Sequence, residues 1–346
     1  MAAEAIDWAA AVRSGQRLAP TGPDVSPQQA RAAVQDLQDF SARAELIVRD
    51  TTGLGHGLPV ELASVVDRRH WIEATAKGMA ALTAPLTDKL AGKAGQSARA
   101  KAAAGAQLGI VLSFLSGRVL GQYDPLTPSG PEATGPGVLL LVAPNIIKVE
   151  RELAADPTDF RMWVCLHEST HRLQFTAVPW LREYFTDLVA QFGAAADTAA
   201  GELISRMLSA VRRTGATDRG SWIETIQSPE QRLIFDQLMA LMTLLEGHAD
   251  YVMDAVGPSV IPSVAAIRAG FSARRERGRG PIDRLLRSLL GMDMKLAQYV
   301  KGAAFVSSVV DKVGMESFNT IFTSPETLPT KQETTNPQGW IERVLG

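Results

Sequence analysis

The chain has 346 residues, 46% of them hydrophobic, which is enough to bury a substantial core as one large domain or two lobes. A formal net charge of −2 gives no general reason to expect nucleic acid or an anionic membrane as partner, and the longest uncharged apolar run, GVLLLVAPNII, is too short to cross a bilayer. The single cysteine, Cys165, excludes an intrachain disulfide and cysteine-rich metal clusters; with no secretory pattern in MAAEAIDWAAAVRSG, the expectation is a cytoplasmic protein.

Residues 1–26, ending in APTGPDVS, read as an N-terminal arm, and 27–346 as a single domain, with two lobes flanking a cleft as the alternative. From Pro27 to about Arg49, Ala33, Val34, Leu37, Phe40 and Leu46 recur near helical spacing. After the glycine-rich TTGLGHGLP (51–59), helical stretches run over about 60–82 and 86–118. DPLTPSGPEATGPG (124–137) reads as a loop. VLLLVAPN (138–145) reads as a strand, being short, rich in branched side chains and bounded by Gly137 and Pro144. Asp156 as N-cap and Pro157 at the first helical position start a helix that ends before Pro179. Helical patterning continues over about 180–213 and 229–256, and VGPSVIPS (256–263) breaks it. SARRERGRGP (272–281) reads as a basic loop, and a last helix runs from about Pro281 to Val313 before an irregular tail. Together these elements make a mainly α chain with a small β-sheet.

WVCLHESTHRLQF (163–175) lies inside the helix that Asp156 opens, and it carries two of the five histidines. Positions i and i+4 share a helix face, so His167 and His171 can aim two imidazoles at one point, as a tetrahedral zinc ion requires. Glu168 is turned about 100° from His167, too far to share that coordination position but close enough to reach a bound water. The alternative is a pair of core histidines that happen to be four apart. Cys165 faces away from the pair and reads as a small buried hydrophobe. His56 reads as a loop residue and His70 as a helix-surface residue.

A catalytic zinc needs a third protein ligand. In LMALMTLLEGHADYVMD (238–254), Phe235, Met239, Met242, Glu246, Ala249 and Met253 share a face, so Glu246 is a carboxylate in an apolar stripe. Such a group must be paired or metal-bound, and the competing partners are Arg161 and Arg172. His248 is the rival ligand, about 200° around the same helix. Asp250, one turn after Glu246, could accept a hydrogen bond from the outer nitrogen of a ligand histidine. Tyr251 and His248, with Tyr184 and Arg182, are candidates for stabilising an oxyanion.

H-E-S-T-H followed much later by E-G-H-A-D resembles the zincin metallopeptidases whose third ligand is a glutamate with an aspartate four residues on. More narrowly, the chain resembles the actinobacterial zincin-like metallopeptidase family, formerly a domain of unknown function. The carrying stretches are VVDRRHWIEA (65–74), SGRVLGQYDPL (116–126), LLLVAPNI (139–146), HESTHRLQFTAVPWL (167–181), LLEGHADYVMD (244–254) and KLAQYVKGAAFV (295–306). The resemblance implies a zincin-like fold with the H-E-x-x-H segment on a central helix. It implies one Zn2+ per chain on His167, His171 and Glu246, with Glu168 as general base and Asp250 behind the ligands. The implied activity is hydrolysis of a peptide or small amide by a zinc-activated water. The alternative is a zinc-stabilised pseudo-enzyme or binding module, associated through labels on some relatives with biosynthesis of a deazaflavin coenzyme. In zincins a strand beside the metal offers an exposed edge to an extended peptide. VLLLVA is the candidate here, with ordinary core packing as its alternative.

Overall fold

A computed structural model describes residues 6–90, 97–128, 136–194, 229–277 and 292–346. In chain order the elements are α1 (Trp8–Leu18), α2 (Pro27–Thr52), β1 (Ser64–Val66), α3 (Arg68–Leu90), α4 (Ala98–Ser116), β2 (Gly121–Pro128) and β3 (Pro136–Val142). They continue with α5 (Ala143–Glu152), α6 (Pro157–Thr176), α7 (Pro179–Ala194), α8 (Pro229–Val256), α9 (Val264–Arg277) and α10 (Met292–Phe318). Three short 3-10 turns and α11 (Pro337–Val344) close the chain. The fold is mostly helical with one small mixed sheet, as the composition indicates.

The sheet order is β1-β3-β2, with β1 parallel and β2 antiparallel to β3. β3 is therefore the middle strand. Its run is apolar on both faces because both are covered. Leu139 and Leu141 join a core with α2, α5 and α6, while Leu140 and Val142 join another with α1, α3 and α4. This corrects the edge role expected of VLLLVA: the terminal strands are β1 and β2, and β2 is formed by residues that read as loop from Asp124 onward. β1 likewise replaces the start of an expected helix, which begins only at Arg68, where Asp67 Oδ1 accepts from the His70 N–H at 2.8 Å.

α6 runs through the centre. Asp156 caps it, accepting from the Thr158 and Asp159 N–H groups at 2.9 and 3.1 Å, and Pro157 stands in the first turn, as its sequence requires. Twelve of its residues are buried, on every side, which is the mark of a helix enclosed by others. α2 lies along it, and Cys165 Sγ faces the Leu37 carbonyl of α2, away from the ligand pair. The expected helix over 229–256 matches α8, and Val313 ends the regular part of α10, where Gly314 (φ +79°) leaves the helical conformation.

Other boundaries differ from the sequence reading. α1 occupies part of the expected arm and packs on α4, with Ala11 fully buried. The basic segment expected as loop is helical through Arg277, and its last residues, like 195–213 of the expected helix after Pro179, lie outside the described residues.

Candidate metal centre

α6 and α8 cross so that three side chains meet. His167, His171 and Glu246 each offer a ligand atom, all within 4.8 Å of one another. The two Nε2 atoms are 3.2 Å apart, and Glu246 Oε2 lies 3.7 Å from His167 Nε2 and 3.6 Å from His171 Nε2. Ligands about 2.0–2.1 Å from a common tetrahedral zinc stand about 3.3–3.4 Å from each other, so the spacing and the donor set both fit zinc. The imidazoles are 19% and 16% exposed and the carboxylate 6%, which leaves the histidine edges facing open space.

That space is a cavity of about 360 Å3 lined by α3, β2, α6, α7 and α8. The triad and Glu168 form part of its wall, together with Met79 and Leu82 of α3. No lysine or arginine lines it among the described residues. Glu168 is buried, and the backbone of β2 comes against it: a Cβ added at Gly121 would stand 2.6 Å from Glu168 Cγ and 2.8 Å from Oε1. Gly121 thus leaves the volume that the Glu168 carboxylate occupies.

Behind the ligands, His171 Nδ1 lies 2.9 Å from Gln174 Oε1, and His167 Nδ1 lies 3.3 Å from Met253 Sδ. Asp250, expected in that place, turns instead to Arg268 of α9 at 3.2 Å. The helix explains the exchange. Seven residues complete two turns to within about 20°, so Met253 stays beneath Glu246, whereas Asp250 is rotated about 40° toward α9. Burial acts to lower the His171 pKa, but the proximity and charge of Glu246, with Glu168 and Gln174 adding, hold it above the ordinary value.

His248 stands outside the converging triad. It is fully buried, with its ring 5.6 Å from both Phe318 and Phe322, and burial followed by the His171 charge pushes its pKa down to about 3. Tyr251 and Tyr184 do not line the cavity either; the tyrosine that does is Tyr123 of β2, which the sequence reading passed over. The arginines that competed for Glu246 are engaged elsewhere. Arg161 forms a two-pronged pair with Glu150 at 2.9 and 3.0 Å, and Arg172 pairs with Glu45 at 2.7 Å. Gln174 and Met253, also missed as site residues, carried a faint signal: each sits at helical spacing, three from His171 and seven from Glu246.

A helical chain with H-E-x-x-H on its central helix and a distant glutamate completing the triad has the donor set of a glutamate-type zincin. The zincin-like metallopeptidase family matches residues 6–341, and the chain belongs to that family. It is also similar to a crystal structure from Chloroflexus aurantiacus, provisionally assigned as a hydrolase with a novel fold. The two share 33% identity and a TM-score of 0.69, with 98% of each chain covered. No curated protein sequence matches the chain.

Proposed function

We propose that this chain is a zinc-dependent peptidase in which Glu168 is the general base. The observation that carries the reading is the convergence of His167, His171 and Glu246 on the wall of an open cavity, with the Glu168 carboxylate on the same wall. A purely structural zinc site is closed by a fourth protein ligand, and the one rival in sequence, His248, is turned into the Phe318 and Phe322 rings. His167, His171 and Glu246 would hold the zinc ion, which would supply a water of lowered pKa and Lewis-acid polarisation of the scissile carbonyl.

The chain's own residues do the rest. Glu168 takes the proton of the attacking water and passes it to the leaving amine. Gly121 keeps the carboxylate in place by offering no side chain against it. β2, the terminal strand that lines the cavity, gives an extended substrate an edge to pair with along Gly121–Asp124, beyond which Pro125 lacks an N–H. Met79, Leu82, Phe185, Met242 and Leu245 favour an apolar substrate side chain, and the absence of lysine and arginine from the described lining leaves no fixed cation for a terminal carboxylate.

The test is a peptide-library digest with zinc-loaded wild type, Glu168→Gln and a chelated sample. Wild type cleaves beside large apolar residues, Glu168→Gln keeps stoichiometric zinc and loses activity by about a hundredfold or more, and chelation removes it. Equal hydrolysis by wild type and Glu168→Gln would refute the mechanism. Stoichiometric zinc with no cleavage by any sample would favour the binding-module alternative.

A further inference from the structure

We infer that Gln174 and His248 form a relay of positioning residues that fixes His171 in the tautomer able to bind a metal. The inference rests on the reading of the triad as a zinc centre. It goes beyond that reading by assigning a role to two fully buried polar side chains that touch neither cavity nor substrate.

The relay starts from a group whose hydrogen-bonding role is fixed. The Leu245 carbonyl can only accept, and the Gln174 amide lies 2.9 Å from it, so the atom facing it is the amide nitrogen. That sets the whole amide. The same nitrogen is 3.2 Å from His248 Nδ1, and its second hydrogen points there, so His248 Nδ1 must be the bare, accepting nitrogen and its proton sits on Nε2. Nε2 has no hydrogen-bond partner among the described residues, and the ring that carries it stands 5.6 Å from those of Phe318 and Phe322. The amide oxygen then faces His171 Nδ1 at 2.9 Å, and because it can only accept, Nδ1 must carry the proton. His171 Nε2 is left with its lone pair, aimed at His167 and Glu246.

Each alternative places like against like. Flipping the amide sets oxygen against the Leu245 oxygen. The other His171 tautomer sets a lone pair against the amide oxygen. Protonating His248 Nδ1 sets N–H against N–H. The backbone of α8, one residue before the ligand Glu246, therefore dictates the protonation pattern of a ligand on α6. Ligand histidines are commonly oriented by a carboxylate or a carbonyl; here a neutral amide does it, itself held by a second, non-ligand histidine.

The test uses the full chain and two readouts that need no substrate. The first is ring-nitrogen NMR of the metal-free protein, followed as a pH series and read once the His171 signals stop shifting with rising pH. Wild type gives His171 as the Nδ1–H form and His248 as the Nε2–H form, and Gln174→Leu gives a His171 averaged between tautomers. The opposite tautomer at either histidine in wild type, or a His171 unmoved by Gln174→Leu, overturns the relay.

The second readout is zinc affinity by chelator competition. Gln174→Leu weakens zinc about ten- to hundredfold, His248→Phe weakens it less, and the double variant is no weaker than Gln174→Leu alone, because both act through one chain of contacts. Affinities within twofold of wild type, or fully additive losses, overturn it. A wild type that takes up no zinc defeats the zinc reading, and the NMR of the metal-free protein still decides the relay. Loss of peptidase activity alone, with these affinities intact, counts against the relay and leaves the proposed function standing.

Discussion

Glu246 and His248 stand two positions apart, and the helix gives them opposite chemistry. About 200° of rotation puts the carboxylate beside two imidazoles and the second histidine among phenylalanines. The grouping of His167, His171 and Glu246 was legible because it obeys such angular rules within each helix. Asp250 was misjudged because α9, which draws it to Arg268, enters from a part of the chain with no local pattern linking the two. Tyr123 was passed over for a similar reason: only the fold brings it to the cavity. Its environment makes a prediction. Burial lifts its phenol to about 12, with Arg182 and Arg172 acting in the opposite direction, whereas the unfolded chain ionises near 10. The folded pKa is the higher one, so the stabilisation is intact below pH 10 and is lost as pH rises toward 12, on the order of 3 kcal/mol at the limit. Denaturant unfolding across that window should show wild type losing stability more steeply than Tyr123→Phe; parallel curves would contradict the assignment.

At the scale of elements, β2 is the instructive case. GQYDPLTP holds a glycine and two prolines and reads as loop from Asp124 onward, yet it is the strand that lines the cavity. Proline is tolerated there because a terminal strand has N–H groups with no ladder partner to lose. Where the ladder breaks between Asp124 and Pro128, the Asp124 carboxylate substitutes for it, accepting from the Leu126 and Thr127 N–H groups at 2.9 and 3.3 Å. Long periodic helices such as α6 and α8 were legible from their caps and apolar stripes; a short strand defined by its neighbours was not. Gly121→Ala tests what β2 does. The added methyl displaces the Glu168 side chain while leaving all three ligand residues unaltered. Turnover of a cleavable apolar peptide should fall by up to about a hundredfold with zinc content unchanged. Unaltered turnover would mean that β2 does not set the position of the base.

Over the whole molecule, the triad sits where two cores meet. Val252 and Val256 of α8 pack with α2, β3 and α6, whereas Leu241, Leu244 and Leu245 pack with α7, α10 and Trp340. Glu246 lies between these groups, beside Gly247, whose Cβ position would fall 2.1 Å from the Gly302 backbone of α10. α8 is thus held tightly by α10, and α6 tightly by α2. The contact between α6 and α8 at the triad is different: it brings a buried carboxylate against two imidazoles, an arrangement that desolvation disfavours without a cation. A bound zinc ion would join the two cores at that point and act as a folding ligand. At free zinc a hundredfold above its dissociation constant, linkage adds about 2.7 kcal/mol, which for a chain of this size raises Tm by about 4 °C. Chelation should reverse that rise in wild type and have no effect on His167→Ala, whose Tm should already match the metal-free protein. Calorimetry decides it: a wild-type Tm indifferent to chelator would mean that α6 and α8 are held by packing alone, with the carboxylate sustained by the histidines as an ion pair.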